Sequence, residues 1–211
     1  MTEKVLRRAR QSSEKFERRC QILAAAEALF TEGGGELPSA QAIADRAGLA
    51  KGTVYLYFTT IEDVFIALLS EHTSKWLSEA QEKLRRSRPP LTPDKVAAAM
   101  CVYPIEQPVV MRLASVSTFQ IARPGTEEAF HALQRQLAET LTQFGQFLEE
   151  NLPGLSKGKG ASAILKAMAV TFGLWQVSNP IHAEQRPTTL RLDFARELPH
   201  MLRSHWRGEV A

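Results

Sequence analysis

Between Pro38 and Phe58 lie two stretches of helical pattern, each too short to stand alone, separated by Gly48-Leu49-Ala50. An isolated helix needs about 12–15 residues to be even marginally stable in water, so both must be held by packing against each other and a third element. Ser39 suits the N-cap of the first stretch (39–47), because its hydroxyl can accept an orphan amide hydrogen. Gly48 suits the position just past its end, where a helix turns left-handed. The second stretch, 51–58, follows after three residues. Two short helices joined by a glycine turn form a helix-turn-helix, whose second helix enters the major groove of DNA while the first crosses the backbone.

The supporting helix is read over 13–31, where Phe16, Cys20, Leu23, Glu27 and Phe30 share a face with Ile22, Ala26 and Leu29 beside it. Gly33-Gly34-Gly35 stops it. In 51–58, Val54 and Phe58 lie four apart and point towards Ile43. Two other i,i+4 rows, Lys51/Tyr55 and Thr53/Tyr57, face away from that core. Gly52 has no side chain, so a nucleic acid can come close there. Tyr55 and Tyr57 also suit half-buried packing with a wetted hydroxyl. The first twenty residues carry seven cations against three anions, which suits phosphate contact or a solvated, disordered tail.

Beyond this module every long segment keeps helical periodicity and none alternates like a strand, so the chain is expected to be all-α. A long helix is read over 60–87, with Thr59 and Glu62 at capping-box spacing. Its inner stripe is Ile61, Phe65, Leu68, His72, Trp76 and Leu84, and Pro89-Pro90 ends it. Further helices are expected over 93–103, 108–123, 126–151, 159–178 and 189–205. The last has Leu190, Phe194, Leu198, Met201 and Leu202 on one side and a kink or break at Pro199. The division follows: an N-terminal three-helix DNA-binding domain with its basic arm at 1–58, then a larger helical domain at 59–211. Hydrophobic content of 44% with 23% charged residues is ordinary globular usage. No apolar run approaches the ~20 residues needed to cross a bilayer, so no membrane partner is expected. No secretory signal is read either, because the charged first twenty residues hold no apolar block. Cys20 and Cys101 are read as small core residues in a reducing cytoplasm.

The run Ile43-Ala44-Asp45-Arg46-Ala47-Gly48-Leu49-Ala50-Lys51-Gly52-Thr53-Val54-Tyr55-Leu56-Tyr57-Phe58 resembles the DNA-binding signature of tetracycline-repressor-like (TetR-family) regulators. The match is strong over 15–70. Leu152-Pro153-Gly154-Leu155-Ser156, and Gly173-Leu174-Trp175-Gln176 with Asn179-Pro180, look similar to the C-terminal domain of one subgroup. The resemblance implies an all-α homodimer on a palindromic double-stranded operator. It implies that Ser39 and Gln41 meet phosphate and base edge, that Lys51, Gly52 and Thr53 approach the major groove, and that Tyr55, Tyr57 and Thr60 hold the backbone. Two departures stand out. Ala50 replaces the usual serine, so the recognition helix loses its N-cap, and Ile61 replaces the lysine that usually opens the long helix.

Trp76, Met100, Met111, Phe119, Phe172 and Trp175 are the kind of residues that line an apolar ligand pocket, and equally the kind that fill a core. They point to an apolar or aromatic small-molecule effector that releases a repressor from its operator. The dimer face is expected on 159–178 and 189–205. The five histidines have no metal-ligand spacing, and neither a nucleophile–base grouping nor a phosphate-cradling loop can be argued. No cofactor, metal or enzymatic activity is therefore expected. Two rivals remain open: a DNA-binding dimer without effector, and a helical small-molecule carrier or enzyme.

Overall fold

The computed structural model describes residues 3–116, 125–179 and 191–211, with side chains from residue 13 onward. Among these residues it holds α1 (Glu3–Glu32), α2 (Ala40–Ala47), α3 (Lys51–Tyr57), α4 (Ile61–Arg85), α5 (Pro93–Glu106), α6 (Val109–Val116), α7 (Glu127–Asn151), α8 (Gly160–Ser178) and α9 (Phe194–Glu209). No described residue lies in a strand, so the all-α expectation holds. The chain forms two compact units, one of residues up to Leu68 with Val116–Phe130, the other of Leu69–Ser115 with His131–Ala211.

In the first unit α1 buries Ile22, Leu23, Ala26 and Phe30. It packs on α2, which packs on α3. The Phe30 ring meets Phe65 of α4 with centroids 5.5 Å apart. The helix ends as its glycines dictate: the Gly35 N–H donates to the Phe30 carbonyl at 2.8 Å, with Gly34 at φ +68°. Two expectations are corrected here. The backbone of α1 is helical from Glu3, earlier than the expected start at residue 13, so the basic arm is part of the helix. The apolar stripe also outruns its partners: from residue 13 onward the buried face starts at Ile22, leaving Phe16 66% exposed and Cys20 exposed.

The cap of α4 sits one residue later than the Thr59/Glu62 expectation. Thr60 Oγ1 accepts the Asp63 N–H at 3.1 Å, and Asp63 Oδ2 accepts the Thr60 N–H at 3.0 Å. Both spacings exist in the sequence; the phase that buries Val64 and Phe65 starts the helix at Ile61 and selects Thr60.

The second unit is organised around buried aromatics. Trp76 is fully buried, its indole N–H donates to the Met100 carbonyl at 2.8 Å, and Phe172 meets its ring edge-on at 5.9 Å. Helix α9 packs on α5 and α8 through Phe194, Leu198, Leu202 and Trp206. Each i,i+4 step turns that row by roughly 40°, which leaves Met201 42% exposed at its edge instead of inward as expected. The helix runs unbroken through Pro199, and Leu190 lies outside the described residues. Cys101 is buried as expected, and burial pushes its thiol up to about 11. The expectation about apolar runs needs one qualification: an 18-residue stretch of α8 averages a hydropathy of 1.2 with 39% of it buried, long and apolar enough by composition to span a bilayer, as core helices also can be.

The first residue of α8, Gly160, meets Gly145 of α7 glycine to glycine. A Cβ on Gly145 would overlap the backbone at Gly160 and Ala161, and one on Gly160 would overlap Gly145. Glu149 Oε1 accepts the Gly160 N–H at 2.7 Å, satisfying an orphan donor at the start of α8. Backbone hydrogen bonds from Gly158 and Gly160 hold this carboxyl below its ordinary range.

Gly160→Ala is expected to cost about 1–3 kcal/mol through overpacking, at ~2–4 °C of melting temperature per kcal/mol for a chain of this size. Gly208→Ala, with open space around it, is the control and should melt no lower than the parent. Because folding lowers the pKa of Glu149, its stabilisation is present above the ordinary glutamate range. It is lost as pH falls through that range and then through the depressed value. The gap in urea midpoint between the parent and Glu149→Gln should therefore be constant near neutrality and close on acidification.

Candidate nucleic-acid interface

Helix α2 is capped at both ends as its sequence requires. Ser39, at φ −72° and ψ 156°, accepts the Ala42 N–H at 3.2 Å, and Gly48 turns left-handed at φ +66°. The turn is fixed by the Leu49 N–H donating to the Ala44 carbonyl at 2.9 Å. Arg46 grips Glu32 at the end of α1 with two hydrogen bonds of 2.6 and 3.1 Å. Ile43, Ala44 and Val54 are fully buried, which sets the rotation of α2 and α3 and hence which residues α3 shows to solvent.

That outward face is Lys51, Gly52, Tyr55 and Leu56; Thr53 and Tyr57 are half-buried. Tyr55 is 47% exposed and Leu56 80%. No atom outside the adjoining backbone lies within 4 Å of where a Gly52 Cβ would stand. Ser39 and Gln41 are exposed at the start of α2, although the Gln41 amide donates to Asp45 Oδ1 at 2.7 Å and is held along its own helix. Thr60, half-buried, is the cap of α4. As the sequence indicates, Ala50 occupies the N-cap of α3 in extended backbone with no side-chain cap.

One residue and one groove escaped the sequence reading. Leu56 falls in the Gly52/Leu56 row, which is easily passed over because its first member has no side chain. Lys15 and Arg18 line a groove with Glu14, Leu56 and Tyr57. Their charge was visible in the sequence, but the groove arises only when α1 and α3 are brought together.

In the second unit the ligand candidates are divided. Trp76, Met100 and Met111 are fully buried, and Phe172 is half-buried against Trp76. Trp175 is half-buried and meets Phe194 edge-on at 5.1 Å. Phe119 lies outside the described residues. Among the described residues no group of three or more His, Cys, Asp or Glu could hold a metal ion.

A capped short helix, a left-handed glycine turn and a second short helix showing a cation and a phenol define a helix-turn-helix protein with an additional helical domain. Residues 22–68 match the bacterial regulatory proteins of the tetR family, and residues 70–211 match the tetracyclin repressor-like C-terminal domain. The chain belongs to the tetR family of bacterial transcriptional regulators. It is 35% identical over 65 residues to the fatty acid metabolism regulator protein of Bacillus subtilis, covering 31% of this chain and 34% of that protein. It is 35% identical over 69 residues to the HTH-type transcriptional activator FasR of Mycolicibacterium smegmatis, covering 33% and 32%. The chain thus matches about a third of the length of these curated relatives. Its fold is similar to that of FadR from Bacillus subtilis, solved in complex with stearoyl-CoA, with a TM-score of 0.59 at 16% identity over 91% of this chain and 99% of that one.

Ala50→Ser supplies the hydroxyl that the extended backbone at this position is ready to use. It should raise thermal stability by about 0.5–2 kcal/mol. Ser39→Ala should lower it by a similar amount, both read by calorimetry without DNA.

Proposed function

We propose that this regulator is a cytoplasmic homodimer that binds a palindromic double-stranded operator through residues 1–58 and is released by a small apolar or aromatic effector bound within residues 59–211. The observation that carries the DNA-binding half is the outward face of α3. A lysine, a glycine and a tyrosine face solvent on a short helix whose opposite side is buried. Lys51 and Gly52 approach base edges with Thr53 at their flank. Tyr55, Tyr57, Ser39 and Thr60 contact the backbone, and Gln41 reaches a base edge once its bond to Asp45 is exchanged. No enzymatic role is assigned.

For the dimer, the support is α8, an apolar helix with only 39% of its 18-residue apolar stretch buried and with Leu165 and Val177 half in water. Pairing α8 and α9 across a two-fold axis would cover that surface. For the effector, the support is the Trp76, Met100 and Phe172 cluster with Met111 and Trp175; Phe119 completes the set expected from sequence. Relatives named for fatty acid metabolism make a long-chain acyl thioester the first compound to test. An effector of any class must bind the DNA-incompetent state more tightly, and DNA must weaken it by the same factor. Helix α4, continuous from Ile61 to Arg85, is the natural carrier of that coupling.

Titration of labelled duplex at two salt concentrations tests the reading. The wild type should prefer its operator at least about a thousandfold over random duplex. Lys51→Ala should reduce that preference, whereas Tyr55→Phe should weaken operator and random duplex alike. Lys15→Ala/Arg18→Ala should flatten the slope of log affinity against log salt by up to ~0.9 for each phosphate that is no longer neutralised. An effector at a hundred times its dissociation constant should stabilise the protein by about 2.7 kcal/mol. No stabilisation across acyl thioesters and aromatic compounds would leave a DNA-binding dimer without effector.

A further inference from the structure

Leu56 is the most exposed large apolar side chain among the described residues, at 80%. Leu23, Leu68 and Leu77 are withdrawn from water almost completely. Leu56 sits one helical turn after Gly52, whose missing side chain leaves open space beside it. Cations frame the position: Lys51 is exposed on the same helix, and Lys15 and Arg18 line the adjoining groove with Glu14 and Tyr57. An apolar spot inside a cationic frame, on the outward face of a recognition helix, has a specific complement. The floor of the major groove is polar apart from one group, the C5-methyl of thymine, while phosphates on both rims meet the cations.

We infer that Leu56 is a specificity-determining residue that reads a thymine methyl in each operator half-site, with the recess at Gly52 admitting the base edge. This rests on the DNA-binding reading above and deepens it. A polar residue at this position would compete for hydrogen bonds with base edges. A leucine makes none and discriminates thymine from cytosine only through the methyl and its burial.

Deoxyuridine differs from thymidine by that methyl alone, so it isolates the contact. The wild type and Leu56→Ala are each titrated with the operator selected by the wild type, and with duplexes in which every thymine is replaced in turn by deoxyuridine. The wild type should lose about fourfold at one position per half-site, the ratio given by ~0.8 kcal/mol for one buried methyl group. Leu56→Ala should bind the parent operator more weakly by at least that factor and be indifferent to the same replacement. Leu56→Met should retain the sensitivity. Melting without DNA should be unchanged in both variants, since the side chain packs on so little. A wild type that prefers its operator yet ignores every methyl removal, or a Leu56→Ala variant that stays equally sensitive, overturns the inference and leaves the DNA-binding reading standing. A wild type with no preference over random duplex overturns both. Loss of self-association in Leu56→Ala with methyl sensitivity intact would assign the residue to a contact between copies instead.

Discussion

Ile43 and Ala44 of α2 and Val54 of α3 are withdrawn from water, and that burial holds helices of eight and seven residues that could not persist alone. Everything the module presents follows from it. Once Val54 points inward, the 3.6-residue period leaves Lys51, Gly52, Tyr55 and Leu56 outward. The left-handed turn at Gly48 sets the angle between the helices, and the Arg46–Glu32 pair ties the end of α2 back to α1. That pair is exposed and contributes little energy; its value is in orientation.

Ala50 and Ile61, the two departures from the family signature, flank α3 on either side. Ala50 leaves the first amides of α3 without a side-chain acceptor; the Thr53 N–H turns instead to the Ala50 carbonyl at 2.8 Å. Ile61 opens α4, and the reciprocal Thr60–Asp63 bonds form its cap. Positive charge lies on α1, where Lys15 and Arg18 share a groove with Leu56 and Tyr57.

Much of this was legible in the sequence because it depends on local chemistry. Ser39, Gly48 and the glycine run after α1 each enforce a backbone state, and the structure adopts all three. What depends on partners was not legible. The stripe of Phe16 and Cys20 looks like core until one sees that burial begins at Ile22. Thr59 and Thr60 offer equivalent caps, and only the packing of Val64 and Phe65 chooses between them. The outward place of Leu56 is not legible because its row begins with Gly52, which has no side chain to mark a face. In the C-terminal unit the aromatic residues were recognisable, but the same chemistry serves core and pocket. The edge-on contact of Trp76 with Phe172 and the indole bond to Met100 needed three dimensions.

The central claim is that the outward face of α3 enters the major groove once per subunit of a symmetric dimer. Dimethyl sulfate protection of guanine N7 on a duplex selected from random DNA tests this most directly, because N7 lies on the major-groove floor. The account predicts two symmetry-related blocks of protection, with centres about one helical turn or a multiple of it apart on one face of the duplex. A single undivided block, protection scattered without symmetry, or full N7 reactivity in a saturated specific complex would contradict it.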